Sequence, residues 1–92
     1  MPVDPNKIHL TVRDRTKILF NDYVKALTSY NEAGIFDILP EHSNFISLIN
    51  TKIIIHKLDK TTQEIPLVNG IVKIKDYDIR CFINILAKDV TT

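Results

Sequence analysis

Apolar residues in this chain recur at every second position, in short runs that turn residues interrupt, and that pattern admits little besides β structure. Ile8, Leu10 and Val12 alternate with His9, Thr11 and Arg13, and Ile79, Cys81, Ile83 and Ile85 alternate with Arg80, Phe82 and Asn84. A strand sends successive side chains to opposite faces, so each run builds one apolar and one polar surface. Isoleucine is unusually frequent, and side chains branched at Cβ are stiff and pack well on a pleated surface. A chain of 92 residues makes a single domain. The expected layout is a flexible lead-in over residues 1–6, a β domain over 7–88 and a short tail over 89–92.

Strand and turn signals follow one another closely. Asp14-Arg15-Thr16 reads as a polar turn and Lys17 to Phe20 as a short return strand. Residues 22–33 fit two patterns. Tyr23, Ala26, Leu27 and Tyr30 lie on one face of a helix capped by Asp22, whereas Val24, Ala26 and Thr28 alternate as in a strand. The β-rich surroundings favour the strand. Ala33 to Phe45 is short and irregular; Phe45–Ile49 and Lys52–Leu58 read as two strands parted by Asn50-Thr51. Asp59 to Thr62 is a polar hairpin loop. Glu64–Val68 and Ile71–Lys75 flank Asn69-Gly70, a pair that predicts a type I′ hairpin. Pro66 has no N–H to give and is expected on an edge or pointing away from the ladder. Asp76-Tyr77 then turns the chain into a last strand, Asp78 to Leu86. The fold class is all-β, a flattened β-sandwich or barrel of about 8–10 short strands.

Composition excludes several functions. Twelve basic and eleven acidic residues are mixed along the chain, and the absence of a basic block speaks against a nucleic acid partner. The longest apolar runs are three residues, as in Ile53-Ile54-Ile55, far below the roughly 20 that span a bilayer, so no membrane insertion is expected. The single cysteine, Cys81, falls on the apolar side of a strand and reads as a small buried hydrophobe. His9, His42 and His56 lie far apart, none with a second ligand at a metal-site spacing, so no metal is expected. His9 and His56 occupy strand positions and read as surface or half-buried imidazoles. His42 would need a nucleophile and an orienting carboxylate for catalysis; Ser43 and Asp37 are available, but no nucleophile-elbow pattern surrounds them. The two glycines, Gly34 and Gly70, are too far apart for a phosphate loop, and no cofactor is expected. Asp14, Asp76 and Asp78 fit turn roles. Ile35-Phe36 and Ile38-Leu39 fit core packing, and they fit an apolar contact surface as well.

At Gly34-Ile35-Phe36-Asp37-Ile38-Leu39-Pro40-Glu41-His42-Ser43 the chain resembles the epsilon subunit of F-type ATP synthases. That family carries a Gly-x-(Phe/Leu)-(Gly/Asp)-Ile-(Leu/Tyr)-Pro-x-His-(Ala/Ser/Thr) signature between early strands of its N-terminal β-sandwich. Its Ser-Gly-Gly followed by alternating apolar residues is similar to Val68-Asn69-Gly70-Ile71-Val72-Lys73-Ile74, with Asn in place of one glycine. The resemblance covers about residues 7–88 and implies a strand at 22–29.

The resemblance also implies a function. The chain would be a non-catalytic rotor subunit at the foot of the central stalk, present in one copy per complex and monomeric in isolation. It would bind the gamma subunit and rest on the c-ring, coupling proton translocation to ATP synthesis. It would lie in the cytoplasm, attached through the complex to the inner face of an energy-transducing membrane. The contact residues so implied are Glu32, Gly34, Ile35, Phe36, Glu41, His42 and Ser43. Two departures from the family are visible. Many members carry an acidic residue directly after the signature glycine, where this chain has Ile35. The family also continues into a C-terminal helical hairpin that inhibits ATP hydrolysis, whereas this sequence stops at Thr92; the expectation is the sandwich without the hairpin. The alternative function is a stand-alone β-sandwich adaptor outside ATP synthase, and an enzyme is the third reading.

Overall fold

The computed structural model describes residues 6–85. The lead-in expected over residues 1–6 lies outside them up to residue 5, and Leu86 and the expected tail lie outside them entirely. Within the described residues there are strands and turns and no helix. Six strands run β1 (Ile8–Arg13), β2 (Ile18–Asn31), β3 (Gly34–Ile38), β4 (Phe45–Lys57), β5 (Thr62–Lys75) and β6 (Asp78–Ile85). They form one wrapped sheet in the order β1-β6-β5-β4-β2-β3, closed by a further pairing of β1 with β2. The first half of β2 holds β1 in antiparallel register, from Ile8↔Val24 to Arg13↔Ile18. The second half holds β3, from Leu27↔Ile38 to Asn31↔Gly34. The other edge of β2 carries β4, so β3 continues along the edge where β1 leaves off. Among the described residues the only parallel pair is β1 with β6. The expected all-β flattened barrel is what the chain forms.

Its strands are fewer and longer than the sequence pattern proposes, and bends explain the difference. Phe45–Ile49 and Lys52–Leu58 belong to one strand, β4, whose register against β5 shifts between Ile49 and Lys52. Thr51 stands at φ 71° in this kink, an uncommon backbone for a β-branched residue. The buried Ser29 hydroxyl donates to the Lys52 carbonyl at 2.9 Å beside it. Ile18–Phe20 and the ambiguous segment as far as Asn31 likewise merge into β2. Of the four residues that suggested a helix face, Ala26 and Leu27 are buried, Tyr30 is half-buried and Tyr23 is exposed.

The hairpin expected at Asn69-Gly70 is absent, and this corrects the sequence reading. β5 runs straight through these residues, with a register shift against β6 between Leu67 and Asn69. Gly70 is there because strands crowd it: a Cβ would stand 2.9 Å from the Phe82 carbonyl oxygen and 3.0 Å from Ile83 Cγ2. The tight turn lies instead at Asp76-Tyr77, between the paired Lys75 and Asp78, with φ of 53° and 66°. Positive φ at both central residues is the type I′ geometry that Asn-Gly ordinarily supplies. Here the Asp76 N–H is held by the Asn44 side-chain oxygen at 3.0 Å. Replacing Asp76-Tyr77 by Asn-Gly is therefore expected to stabilise the domain by about 1–2 kcal/mol. In a thermal melt this is a Tm raised by about 4–8 °C per kcal/mol.

Other expected turn chemistry is in place. The Asp14 carboxylate accepts from the N–H groups of Thr16 (2.8 Å) and Lys17 (3.0 Å), and these bonds hold its pKa below the ordinary value. Pro66 faces Lys52 beside the β4 kink. At that point β5 has β4 on one side and, among the described residues, no ladder partner on the other.

The barrel interior is filled by Ile8, Leu10, Val12, Val24, Leu27, Ile38, Ile49, Ile53, Ile55, Leu67, Val72, Ile74, Ile79, Cys81 and Ile83. Cys81 is 2 % exposed, and burial pushes its thiol up from 9.0 to about 12. The folded protein is expected to resist thiol reagents at pH 8 and to react once denatured. The sign for stability follows from the same shift: the unfolded chain loses this proton first, so stability falls as pH rises from 9.0 towards about 12. A Cys81→Ala variant should lack that share of the alkaline loss in urea titrations at a series of pH values.

Candidate functional site

The signature residues form a strip along β3 and the turn beyond it. The β2–β3 hairpin turns at Glu32-Ala33, with the Asn31 side-chain oxygen accepting from the Ala33 N–H at 2.9 Å. Gly34 follows at φ 119° with open space where a Cβ would be. Backbone conformation alone therefore requires glycine there. From Gly34 the strand alternates: Ile35, Asp37 and Leu39 are exposed, while Phe36 is half-buried and Ile38 and Pro40 are buried. Of the two apolar pairs, Ile38 is core and Ile35 (63 % exposed) is surface. Among the described residues β3 pairs only with β2 and is an edge strand, kept short and carrying Asp37, as exposed edges commonly are.

At the far end the chain reverses over Pro40-Glu41, closed by the His42 N–H donating to the Leu39 carbonyl at 2.9 Å. Proline suits the second position of such a turn. The His42 Nδ1 donates to the Ser43 carbonyl at 2.9 Å, and its ring lies 4.9 Å from that of Phe45. Phe45 in turn meets Phe36 edge-on at 6.0 Å. Phe45 thus joins Phe36 to His42, a role the sequence reading did not give it. Glu32, Gly34 and Ile35 stand at one end of β3 and Glu41, His42 and Ser43 at the other, separated by a strand that climbs about 3.4 Å per residue. The strip is elongated and mostly exposed, with an aromatic brace beneath it.

The three residues raised for catalysis do not assemble. His42 is engaged with the Ser43 carbonyl, and the Asp37 carboxylate accepts from the Thr28 hydroxyl. Thr28 also lies 2.7 Å from His56 Nε2. Its single proton goes to Asp37, so the imidazole must be the donor to Thr28. In a hydroxyl-activating triad the hydroxyl gives its proton to the imidazole; here the order is reversed. The string ties β3 to β2 and β4, and neither Thr28 nor His56 was singled out by motif because the three residues are dispersed in sequence. His9 is half-buried, its Nδ1 donating to Asp78 at 2.9 Å, and Asp78 also accepts from Arg80 at 2.9 Å. Asp78 therefore bridges β1 and β6 rather than making a turn. Among the described residues no group of three or more His, Cys, Asp or Glu is placed to hold a metal ion.

The closed sheet and its exposed edge strand define a small β-sandwich domain. Residues 7–91 match the family model of the ATP synthase, Delta/Epsilon chain, beta-sandwich domain, and the chain belongs to that family. It is 31% identical over 68 residues to the ATP synthase epsilon chain of Sulfurovum sp. (strain NBC37-1), covering 73% of this chain and 53% of that one. Among solved structures it is similar to a chain of the Euglena gracilis mitochondrial ATP synthase, described as OSCP/F1/c-ring in rotational state 1. The TM-score there is 0.80 at 15% identity, over 86% of this chain and 51% of that one. A chain from the central stalk and c-ring of the Tetrahymena thermophila mitochondrial ATP synthase gives a TM-score of 0.68 at 11% identity, over 83% and 62%. At such identities these two likenesses concern the fold. The chain spans about half the length of the epsilon chain and the Euglena chain it matches.

Proposed function

We propose that this chain is a non-catalytic central-stalk subunit of an F-type ATP synthase, linking the gamma subunit to the c-ring and coupling proton translocation to ATP synthesis. The observation that carries the reading is the family match over residues 7–91. The strip on β3 is its docking surface: Glu32, Gly34, Ile35, Glu41, His42 and Ser43 are exposed there, with Phe36 half-buried beneath them. A closed barrel with ladder bonds around its wall resists shear, which suits a part that transmits torque. Its place is the cytoplasmic face of the energy-transducing membrane, held through the complex. No helix of the described residues is long and apolar enough to cross a membrane.

Ile35 replaces a carboxylate with an apolar side chain at the tip of the strip, so the contact there is a desolvated apolar one. Phe36 packs against the core, so its truncation would mix stability with binding, and Ile35 is the cleaner probe. Mixed with gamma from its own source, the wild-type protein is expected to co-elute in size exclusion. Ile35→Ser should weaken that association by about tenfold, as loss of an interface anchor does. Its Tm should hold steady. Failure of the wild type to co-elute over a range of salt would favour the stand-alone adaptor.

A further inference from the structure

An open depression of about 420 Å³ lies between β2, β4 and the β4–β5 turn. The ladders explain its position. Along one edge of β2, pairing with β1 ends at Ile8↔Val24 and pairing with β3 begins at Leu27↔Ile38. Among the described residues, Lys25 and Ala26 therefore stand at a gap in that edge. Along the other edge Val24 faces Lys57 and Ala26 faces His56, so Lys25 is one residue too many and bulges from the ladder. A bulge re-aims the side chain it carries, and Lys25 lines the depression. The opposite wall comes from the β4–β5 hairpin, where Thr62 pairs with His56 and Lys60 holds the turn at φ 73°. Lys25, Lys57 and Lys60 thus approach one recess from three segments, against a single lining carboxylate, Asp37. Asp37 already accepts from the Thr28 hydroxyl. Among the described residues neither Lys25 nor Lys60 has an ion-pair partner. Lys57 lies over the Phe20 ring at 5.9 Å.

We propose that this depression binds a small soluble oligophosphate, an anion of at least two linked phosphoryl groups. The inference goes beyond the function proposed above and does not depend on it. Three ammonium groups around one engaged carboxylate leave a local excess of positive charge, and a recess with low-dielectric walls focuses that field on an anion. A singly charged ligand would leave most of the excess unmatched, whereas linked phosphoryl groups present several acceptor oxygens to lysines on different sides. The volume falls within the range of about 300–1,000 Å³ usual for small-ligand sites. Larger polyanions fit poorly. Asp22 and Asp59 line the depression next door, which shares Lys57, and the Asp59 carboxylate, bonded to Thr61, is held below its ordinary pKa. Those two carboxylates would repel a nucleic acid strand or an anionic bilayer extending past the recess.

The probe is inorganic pyrophosphate, titrated at constant ionic strength into protein with nitrogen-labelled amides. The Lys25, Lys60 and Thr62 signals are expected to shift saturably, while those of Lys73 and Arg80, basic residues at a different depression, stay in place. Lys25→Gln and Lys60→Gln should each raise the Kd by about tenfold, and Lys73→Gln should leave it unchanged. All three lysines are exposed, and an unmoved Ile53 signal reports that each variant is folded. Inorganic phosphate should bind at least about tenfold more weakly than pyrophosphate. Overturning results are no saturable shift at Lys25 and Lys60, equal shifts at Lys73 and Arg80, equal affinity for pyrophosphate and acetate, an equal loss in Lys73→Gln, or displacement of pyrophosphate by phosphatidylglycerol vesicles.

Discussion

Gly70→Val is expected to destabilise the domain by at least about 3 kcal/mol, because the new side chain enters a space that backbone already fills. Gly70 faces Ile49 on β4 and Ile83 on β6, both buried. A Cβ there would meet the Phe82 carbonyl oxygen at 2.9 Å, Ile83 Cγ2 at 3.0 Å and Ile83 Cα at 3.2 Å. Two of those atoms are main chain and cannot swing aside as a long side chain would. Ordering a residue other than glycine returns only about 0.4–1 kcal/mol through the unfolded chain, so the clash prevails. Gly70→Ala should lose less and Gly70→Val more, since two further methyls must find room. A domain of this size has about 5–13 kcal/mol in hand, and the valine variant should show a Tm lower by well over about 10 °C. Urea and thermal melts followed by circular dichroism measure it. An unchanged midpoint would mean that β5 and β6 do not approach as closely as described.

The second large effect separates the barrel interior from its outer face. Leu27 is fully buried between Ile38 on β3 and Ile55 on β4, while Leu48 is 74 % exposed. Leu27→Ala removes buried methyl groups and leaves a cavity that a closed sheet cannot collapse around, at an expected cost of about 2.7–5.0 kcal/mol. Leu48→Ala is the same chemical change on the surface and should fall within about 0.5 kcal/mol of wild type. The contrast in urea midpoints tests the placement of both residues. Similar losses would mean that Leu48 packs inside.

Much of the barrel was legible in the sequence because alternation maps directly onto inward and outward faces. Ile8, Leu10, Val12, Ile79, Cys81 and Ile83 all point inward as their spacing implied. What the pattern obscured was where strands bend and where they end. A kink at Asn50-Thr51 and a register shift near Asn69 use the residues that turns use, and local sequence does not tell a bend from a reversal. The true I′ turn, at Asp76-Tyr77, has no glycine, so its strain is supported by the closure of β5 on β6 and by Asn44, which is distant in sequence. The signature strip was legible as a motif, but its segment read as irregular, and the strand β3 that sorts exposed Ile35 from buried Ile38 emerges only in the fold. The Asp37–Thr28–His56 string and the lysine-lined depression beside it depend on register between strands, which a single sequence does not carry.

Photocrosslinking from position 35 in the assembled, energy-transducing complex bears most directly on the coupling role. With a photoreactive residue replacing Ile35, illumination is expected to join this chain to the c-ring or to gamma, with the adduct identified by mass spectrometry. A chain that assembles with the enzyme yet crosslinks to neither, or one recovered wholly apart from it, would contradict the reading of β3 as the contact that ties this domain to the rotor.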